Sequence, residues 1–279
     1  MDLSQTTVLI TGSTDGVGKL VAKRATVAGA RVLVHGRSDV KGRDTLGEFQ
    51  REASRAHVEY YRADLASLND VQRLADEVTS AHDRLDILIN NAGIGFGAPG
   101  DRREISRDGH ELRFAVNYLA PFRLTHLLLP TLRRSAPSRI VNVASIGQSP
   151  IDFDDVMLTR GYDGRQAYGQ SKLALVMLTF DLAVALEGTG VTANAIHPAT
   201  LMNTKMVAEA RMRPQSTVEE GAEAIFHLAT SPELDGVSGR FFDGRREARA
   251  HPAAYRSHER QQLRELALDL TGQSADVTR

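Results

Sequence analysis

The chain contains no cysteine in 279 residues. Disulfides, thiolate nucleophiles and cysteine-bound metals are therefore excluded. It also has almost no net charge. Thirty-four basic residues against 35 acidic ones leave −1, so no global field favours nucleic acid or an anionic membrane. Lysine is scarce, at five of those 34. No run approaches the ~18 uninterrupted apolar residues that a membrane-spanning helix needs. The opening "MDLSQTTVLITG" has an acidic second residue and only a short apolar run, unlike a signal peptide, so a cytoplasmic location is expected. The nine histidines do not cluster, His-x3-His does not occur, and His251 and His258 lack acidic partners at ligand spacing. No metal site is expected. A Gly-x-Ser-x-Gly elbow is absent too, which leaves an esterase without its nucleophile.

What is present is an alternation of short apolar runs with helical patterns. "TVLIT" (7–11), "RVLVHG" (31–36), "VEYYRAD" (58–64), the start of "LDILINNAG" (85–93), "RIVNVAS" (139–145), "VTANAIHP" (191–198) and "GRFFDG" (239–244) read as strands. Helical spacing occupies 18–29, 70–82, 110–135, about 166–187 and 218–230, and Pro121 is expected to bend the third of these or open its ladder. The pattern implies an α/β chain: a single Rossmann-type, doubly wound parallel sheet of about seven strands with helices on both faces. Residues 1–244 form that domain. Residues 245–279 are expected to be a helical extension packed on it, their basic side chains a solvated face.

"TGSTDGVG" (11–18) follows a strand and opens a helix, as a phosphate-cradling turn does. Gly12 suits the tight turn, and Gly16 and Gly18 suit close backbone approach. The spacing is Gly-x3-Gly-x-Gly, with Val21 where a further glycine would stand. A Walker-type loop fails, since Ser13 and Leu20 occupy two of its required positions. At the second strand's end Gly36 stands where an NAD site carries an acid, and Arg37 follows, so a 2′-phosphate is favoured. Asp15 argues the other way if it points at that phosphate. Asp64 is placed to accept from an adenine amino group or to cap the next helix, although Asn69 and Asp70 are better placed for the cap. "YGQSK" sets Tyr168 and Lys172 at i, i+4, with Cβ atoms ~5–6 Å apart. An ammonium there is expected to lower the phenol's pKa and, together with the charge of an oxidised nicotinamide, to bring it towards working pH.

The ordered set "TGSTDGVG" (11–18), "DL" (64–65), "NNAG" (90–93), Asn117, Ser145, Tyr168 and Lys172 resembles the short-chain dehydrogenases/reductases. "IDFDD" (151–155), "YDGRQAYGQSKLA" (162–174), "LEGTGVTANAIHP" (186–198) and "SGRFFDG" (238–244) resemble the retinol-dehydrogenase-like branch. The 23-residue gap from Ser145 to Tyr168 is long, and the IDFDD insertion explains it. The resemblance implies that Tyr168 gives or takes the proton and that Ser145 binds the carbonyl or alcohol oxygen. Lys172 would hold the nicotinamide ribose, and Asn117 a water in a proton relay. Gly12, Thr14, Asp15, Gly16, Val17, Gly18, Arg37, Asp64, Leu65, Asn91, Ala92, Gly93, Tyr168, Lys172 and Pro198 would bind the cofactor, NADP with NAD as the alternative.

Three departures stand out. The vertebrate N-terminal membrane anchor is missing, which argues against a retinoid or membrane substrate. Pro198-Ala199 replaces Pro-Gly, and Asp15 sits in the loop. The expected function is an NADP(H)-dependent oxidoreductase interconverting a lipophilic alcohol and its aldehyde or ketone. The alternative is a non-catalytic NAD(P)-binding or redox-sensing protein on the same fold. A small-molecule substrate is the expected partner, with no nucleic acid and no membrane anchor. A homo-oligomer through helices 110–135 and 166–187 is open unless the tail covers them. Residues 200–215, with Met202, Met206 and Met212, are expected to be a mobile substrate lid, or else to pack the helix below. His197 reads as structural.

Overall fold

Alternating aliphatic side chains give each strand two apolar faces, so each must be covered on both sides. In the computed structural model, which describes residues 3–53 and 56–274, seven strands lie parallel. They are β1 (Thr7–Ile10), β2 (Arg31–Gly36), β3 (His57–Arg62), β4 (Ile87–Asn90), β5 (Ser138–Val143), β6 (Val191–His197) and β7 (Phe241–Asp243), in the spatial order 3-2-1-4-5-6-7. An eighth strand, β8 (Arg246–Ala248), pairs antiparallel with β7 and corrects the expected count of about seven. A two-residue turn, Gly244-Arg245, makes it, with Gly244 at φ +57° in the first central position, where tight hairpins favour glycine.

Nine helices are described: α1 (Gly16–Val27), α2 (Asp39–Glu52), α3 (Leu68–Ala81), α4 (Leu112–Phe114), α5 (Ala120–Arg134), α6 (Gly164–Ala185), α7 (Lys205–Glu209), α8 (Val218–Thr230) and α9 (Ser257–Thr271). Val8, Ile10, Val32, Val34, Ile87 and Ile89 face one core layer, closed by α1, α2 and α8. Leu9, Leu33, Leu88 and Ile140 face the other, closed by α3, α5, α6 and α9. The tail's helix is therefore a packed element. Arg260 donates to Asp181 of α6 at 2.8 Å, and Leu263 and Ala267 are buried. Arg260 and Arg264 both reach Asp181, so part of the expected solvated face is an ion-pair contact. Residues 275–279 of the expected tail lie outside the described residues.

The expected long helix at 110–135 is interrupted. A π turn spans Ala115–Leu119, where Ala120 N–H donates to the Ala115 carbonyl five residues back. Pro121 lies in the first turn of α5. It has no N–H to offer the Asn117 carbonyl, the α-helical partner four residues earlier. The ladder thus opens where proline demanded, at Asn117.

Two polar devices hold the ends of the strands. Buried Asn90, the last residue of β4, donates to Asn142 of β5 at 2.8 Å and to Thr125 of α5 at 3.1 Å. Asn142 in turn donates to Thr179 of α6 at 2.9 Å. Sheet and helices are joined through these amides beneath the strands' carboxyl ends. At β1, Gly12 takes φ +66°, and a Cβ there would lie 2.9 Å from the Ala92 backbone. Its N–H donates to Nδ1 of buried His35 at 3.0 Å, while His35 N–H donates to Ser13 Oγ. Burial holds the His35 imidazole down at about 4, so it stays neutral and keeps accepting.

Replacing Asn142 by alanine removes one of two hydrogen bonds from the amide of Asn90 and one from the hydroxyl of Thr179. Urea unfolding should show a loss of roughly 1–3 kcal/mol, and an unchanged midpoint would mean water satisfies both groups. His35 makes stability depend on pH. As pH falls below 6.5 the unfolded chain takes up a proton that the folded chain refuses until about 4. Stability therefore declines across that window, by at most about 3 kcal/mol, and no further below it. In His35→Gln the decline between pH 6.5 and 4 should be smaller by most of that amount; identical slopes would contradict the assignment.

Candidate active site

β1, β4, β5 and β6 end at one edge of the sheet, and their carboxyl ends open into a cleft of about 420 Å³. Such a crevice, beside the point where strand order reverses between β1 and β4, is where ligands bind in open α/β sheets. Val17, Asn91, Gly93, Ser145, Tyr168, Lys172 and Pro198, all expected site residues, line it together.

Lys172 is buried, and its ammonium donates to the Val143 carbonyl at the end of β5 at 2.9 Å. Burial pulls its pKa down to about 8. One turn earlier on α6, the Tyr168 ring centre lies 5.8 Å from that ammonium. Ser145, two residues beyond β5, is the ring's near neighbour, since a methyl built on Gly147 would sit 3.4 Å from Ser145 Oγ and 3.9 Å from the Tyr168 ring. Gly147 N–H donates to Ser145 Oγ at 3.0 Å, fixing the hydroxyl in the cleft wall. The expected acidification of Tyr168 is corrected here. Burial pushes the phenol above its ordinary value, and only Ser145 opposes the shift. The lysine, itself desolvated and aimed at a carbonyl, does not offset the low dielectric around the phenol.

Asn117 stands differently from expectation. Ile94 N–H donates to its Oδ1 at 2.7 Å, and its Nδ2 donates to the Ile94 carbonyl and to Ser171 Oγ, both at 3.0 Å. Ser171 in turn donates to the Tyr168 carbonyl at 2.7 Å. The amide thus ties the loop after β4 to α6, with its Oδ1 keeping a second lone pair. Pro121 offers no N–H to its main-chain carbonyl. Asn117 Oδ1 and Lys172 Nζ are near neighbours, since a methyl built on Gly93 would sit 3.3 Å from each.

The glycine loop is clamped from below. Asn91 Nδ2 donates to the carbonyls of Thr11 at 2.8 Å and Gly12 at 3.2 Å, and a Cβ on Gly18 would collide with that amide. Asn91 and Ala92 N–H both donate to Thr11 Oγ1 at 3.0 Å. Thr14 packs against Gly36, where a side chain would displace it. Asp15 caps α1 by accepting from Gly16 N–H, and Lys41 of α2 donates to it at 2.5 Å. Lys41 holds this carboxyl below the usual range, so the loop's acid is neutralised by its own cation rather than left facing a phosphate.

Beyond the loop, Arg37, Arg62, Asp64, Asp70, Arg73 and Arg107 line a polar hollow of about 370 Å³. Arg62, Arg73 and Arg107 pair with Asp39, Asp70 and Asp64. Arg37 is exposed and has no ion pair among the described residues. Asp64 does not cap α3, and neither does Asn69 or Asp70: Ser67 accepts from Asp70 N–H there. The Leu65 side chain is buried in the core, leaving only its backbone to meet a ligand.

Opposite Tyr168, Met202, Met206 and Met212 line the cleft. Met202 also packs against Gly221 of α8, and Met206 against Gly95, so these side chains serve both the pocket and the packing below it. His197 bonds Thr200 Oγ1 at 3.1 Å. Phe96 and Arg165 join the cleft without having been expected. The Phe96 ring stands edge-on to Tyr168, 5.7 Å centre to centre at 78°. The loop bearing it is held by Arg113, buried beside Glu111, which donates to the Gly95 carbonyl at 2.7 Å and to Tyr162 at 2.5 Å. Arg165, three residues before Tyr168 on α6, was legible from helical spacing alone.

A nicotinamide dinucleotide fits this arrangement. The Oδ1 of Asn91, at the cleft wall, has no partner within the protein. The glycine loop offers a cradle into which a side chain on Gly12 or Gly18 would intrude. Among the described residues, no helix is long and apolar enough to cross a membrane.

The sequence profile of the family described as short chain dehydrogenase matches residues 6–215. Human retinol dehydrogenase 14 is 38% identical over 275 residues, covering 89% of this chain and 81% of the relative. An uncharacterized protein from Mycobacterium paratuberculosis has a solved structure that superposes with a TM-score of 0.81 at 28% identity, covering 98% of this chain and 96% of that one. The Pseudomonas aeruginosa RhlG/NADP active-site complex gives 0.71 at 29% identity, covering 87% and 95%. The chain belongs to the short-chain dehydrogenase/reductase family, in its retinol-dehydrogenase-like branch, and is an NAD(P)-dependent oxidoreductase acting on CH–OH groups.

Proposed function

We propose that the chain interconverts a lipophilic alcohol and its aldehyde or ketone with NADP(H), using Ser145, Tyr168 and Lys172 as its catalytic set. The observation that carries this reading is the meeting of Tyr168 and Ser145 beside the buried Lys172 ammonium, in the wall of the cleft. A phenol kept protonated by burial is in the state that donates a proton to a carbonyl oxygen as that carbonyl is reduced. Ser145 supplies a second hydrogen bond to the same oxygen, where negative charge develops. Lys172 lies where an ammonium stabilises the phenolate left behind and holds the ribose hydroxyls. When bound, the nicotinamide cofactor carries the hydride.

The preference for NADP rests on Arg37, exposed and without an ion pair, in a hollow that three further arginines share with two carboxylates. A guanidinium matches a phosphate with paired donors. Lys41 neutralises Asp15, the acid within the glycine loop that argued against a phosphate. The lipophilic substrate class rests on Phe96, Ile146 and the three methionines of the cleft wall. RhlG, solved with NADP, and retinol dehydrogenase 14, named for an apolar alcohol, point the same way.

Tyr168→Phe should lower kcat for NADPH-dependent aldehyde reduction by roughly 10²–10⁴-fold while leaving NADPH affinity nearly unchanged. A fully active variant would remove the tyrosine from the chemistry. Arg37→Ser should weaken NADPH binding about tenfold, read by fluorescence titration, with NADH affinity unaffected. Equal loss for both nucleotides would end the case for NADP.

A further inference from the structure

The cleft carries charge of one sign. Among its lining residues only Lys172 and Arg165 are ionised, and no carboxylate faces it. The Lys172 ammonium lies inside, donating to the Val143 carbonyl. Arg165 is exposed at the mouth, in the first turn of α6, one turn before Tyr168 and on its side of the helix. Among the described residues it has no ion pair. The neighbouring acid, Asp163, is occupied as the cap of α6, accepting from Gln166 N–H at 2.8 Å. The guanidinium carbon lies 5.9 Å from the centre of the Phe96 ring, and that ring stands edge-on to Tyr168 at 5.7 Å. Arg165 is therefore no farther from the Tyr168 ring than those two steps laid end to end.

We propose that Arg165 binds a carboxylate at the far end of the substrate, so that the preferred substrate is an apolar carbonyl or alcohol with an acidic terminus. This rests on the oxidoreductase reading of the same cleft. The apolar body lies between Phe96 and the methionine wall, and the reacting carbon meets Tyr168 and Ser145. A carboxylate reaching the mouth meets the two parallel donors of a guanidinium already braced over an aromatic face. An uncharged tail gains nothing there.

The test compares two aldehydes that differ only in charge: azelaic semialdehyde, with an aldehyde and a carboxylate at the two ends of one alkyl chain, and its methyl ester. With NADPH, the acid should show a KM about tenfold lower than the ester. Arg165→Ala should erase that difference by raising KM for the acid alone, with kcat little changed, and Arg165→Lys should restore part of it. Calorimetric titration of the NADP-loaded protein with nonanoate provides a readout without turnover, and binding should weaken about tenfold in Arg165→Ala. If the ester is reduced as efficiently as the acid and nonanoate binds native and variant alike, the anionic-substrate inference falls and the oxidoreductase reading stands. If neither aldehyde is reduced yet nonanoate binding depends on Arg165, the proposed reaction falls and the anion site stands. If neither aldehyde is reduced and nonanoate does not bind, both fall.

Discussion

A lysine ammonium kept out of water against a strand-end carbonyl is the constraint around which this cleft is arranged. Lys172 cannot be buried at that depth without a partner, because an unpaired ammonium in a low dielectric is far too costly. The Val143 carbonyl provides the partner, and β5 must therefore end where it does. The chain then leaves the sheet and places Ser145 two residues on, beside Tyr168. Burial lowers the lysine to about 8 and raises the phenol at once, so one desolvated environment sets both groups. In the proposed chemistry this is a starting state with the phenol neutral and the ammonium weakened, and both are groups whose protonation a nearby charge readily changes.

The polar side chains around that pair act mainly by holding main chain. Asn117 spends its amide on Ile94 and Ser171, Asn91 spends its Nδ2 on the glycine loop, and Arg113 fixes the carbonyl before Phe96. Each joins a loop at the sheet's carboxyl edge to an element under tertiary restraint. A site built this way holds its geometry without a ligand, since the backbone that will meet the cofactor is already hydrogen-bonded from behind.

Much of this was legible in the sequence, for definite reasons. Strands β1, β2, β4 and β6 are runs of β-branched and aliphatic residues with glycine, asparagine or proline near their ends, and their order along the chain with intervening helices dictates a parallel sheet. The Tyr168–Lys172 spacing and the glycine loop are local patterns, so they survive without tertiary information. What was not legible depended on distant partners. α2 buries little beyond Gly42, Thr45 and Phe49, so its apolar signal is weak, and Gly42 is explained only by the Tyr60 ring lying against it. The neutralisation of Asp15 needed Lys41, 26 residues away. The direction of the tyrosine's shift needed the depth of burial, which spacing along a helix does not report. Leu65 matched a motif, yet its side chain faces the core, a placement that the motif alone does not report.

The tail extends the same logic to the far side of α6. Asp181, nine residues after Lys172, receives Arg260 and approaches Arg264 from α9, while Tyr118 of the π turn packs near Leu263. α6 is thereby gripped by the sheet through Asn142 and Thr179, by the π turn through Ser171, and by α9 through Asp181. Rotation or sliding of the helix would break all three attachments together. That matters because Arg165, Tyr168 and Lys172 sit on one helix, and their separation along the cleft is set by helical geometry only while that helix keeps its register.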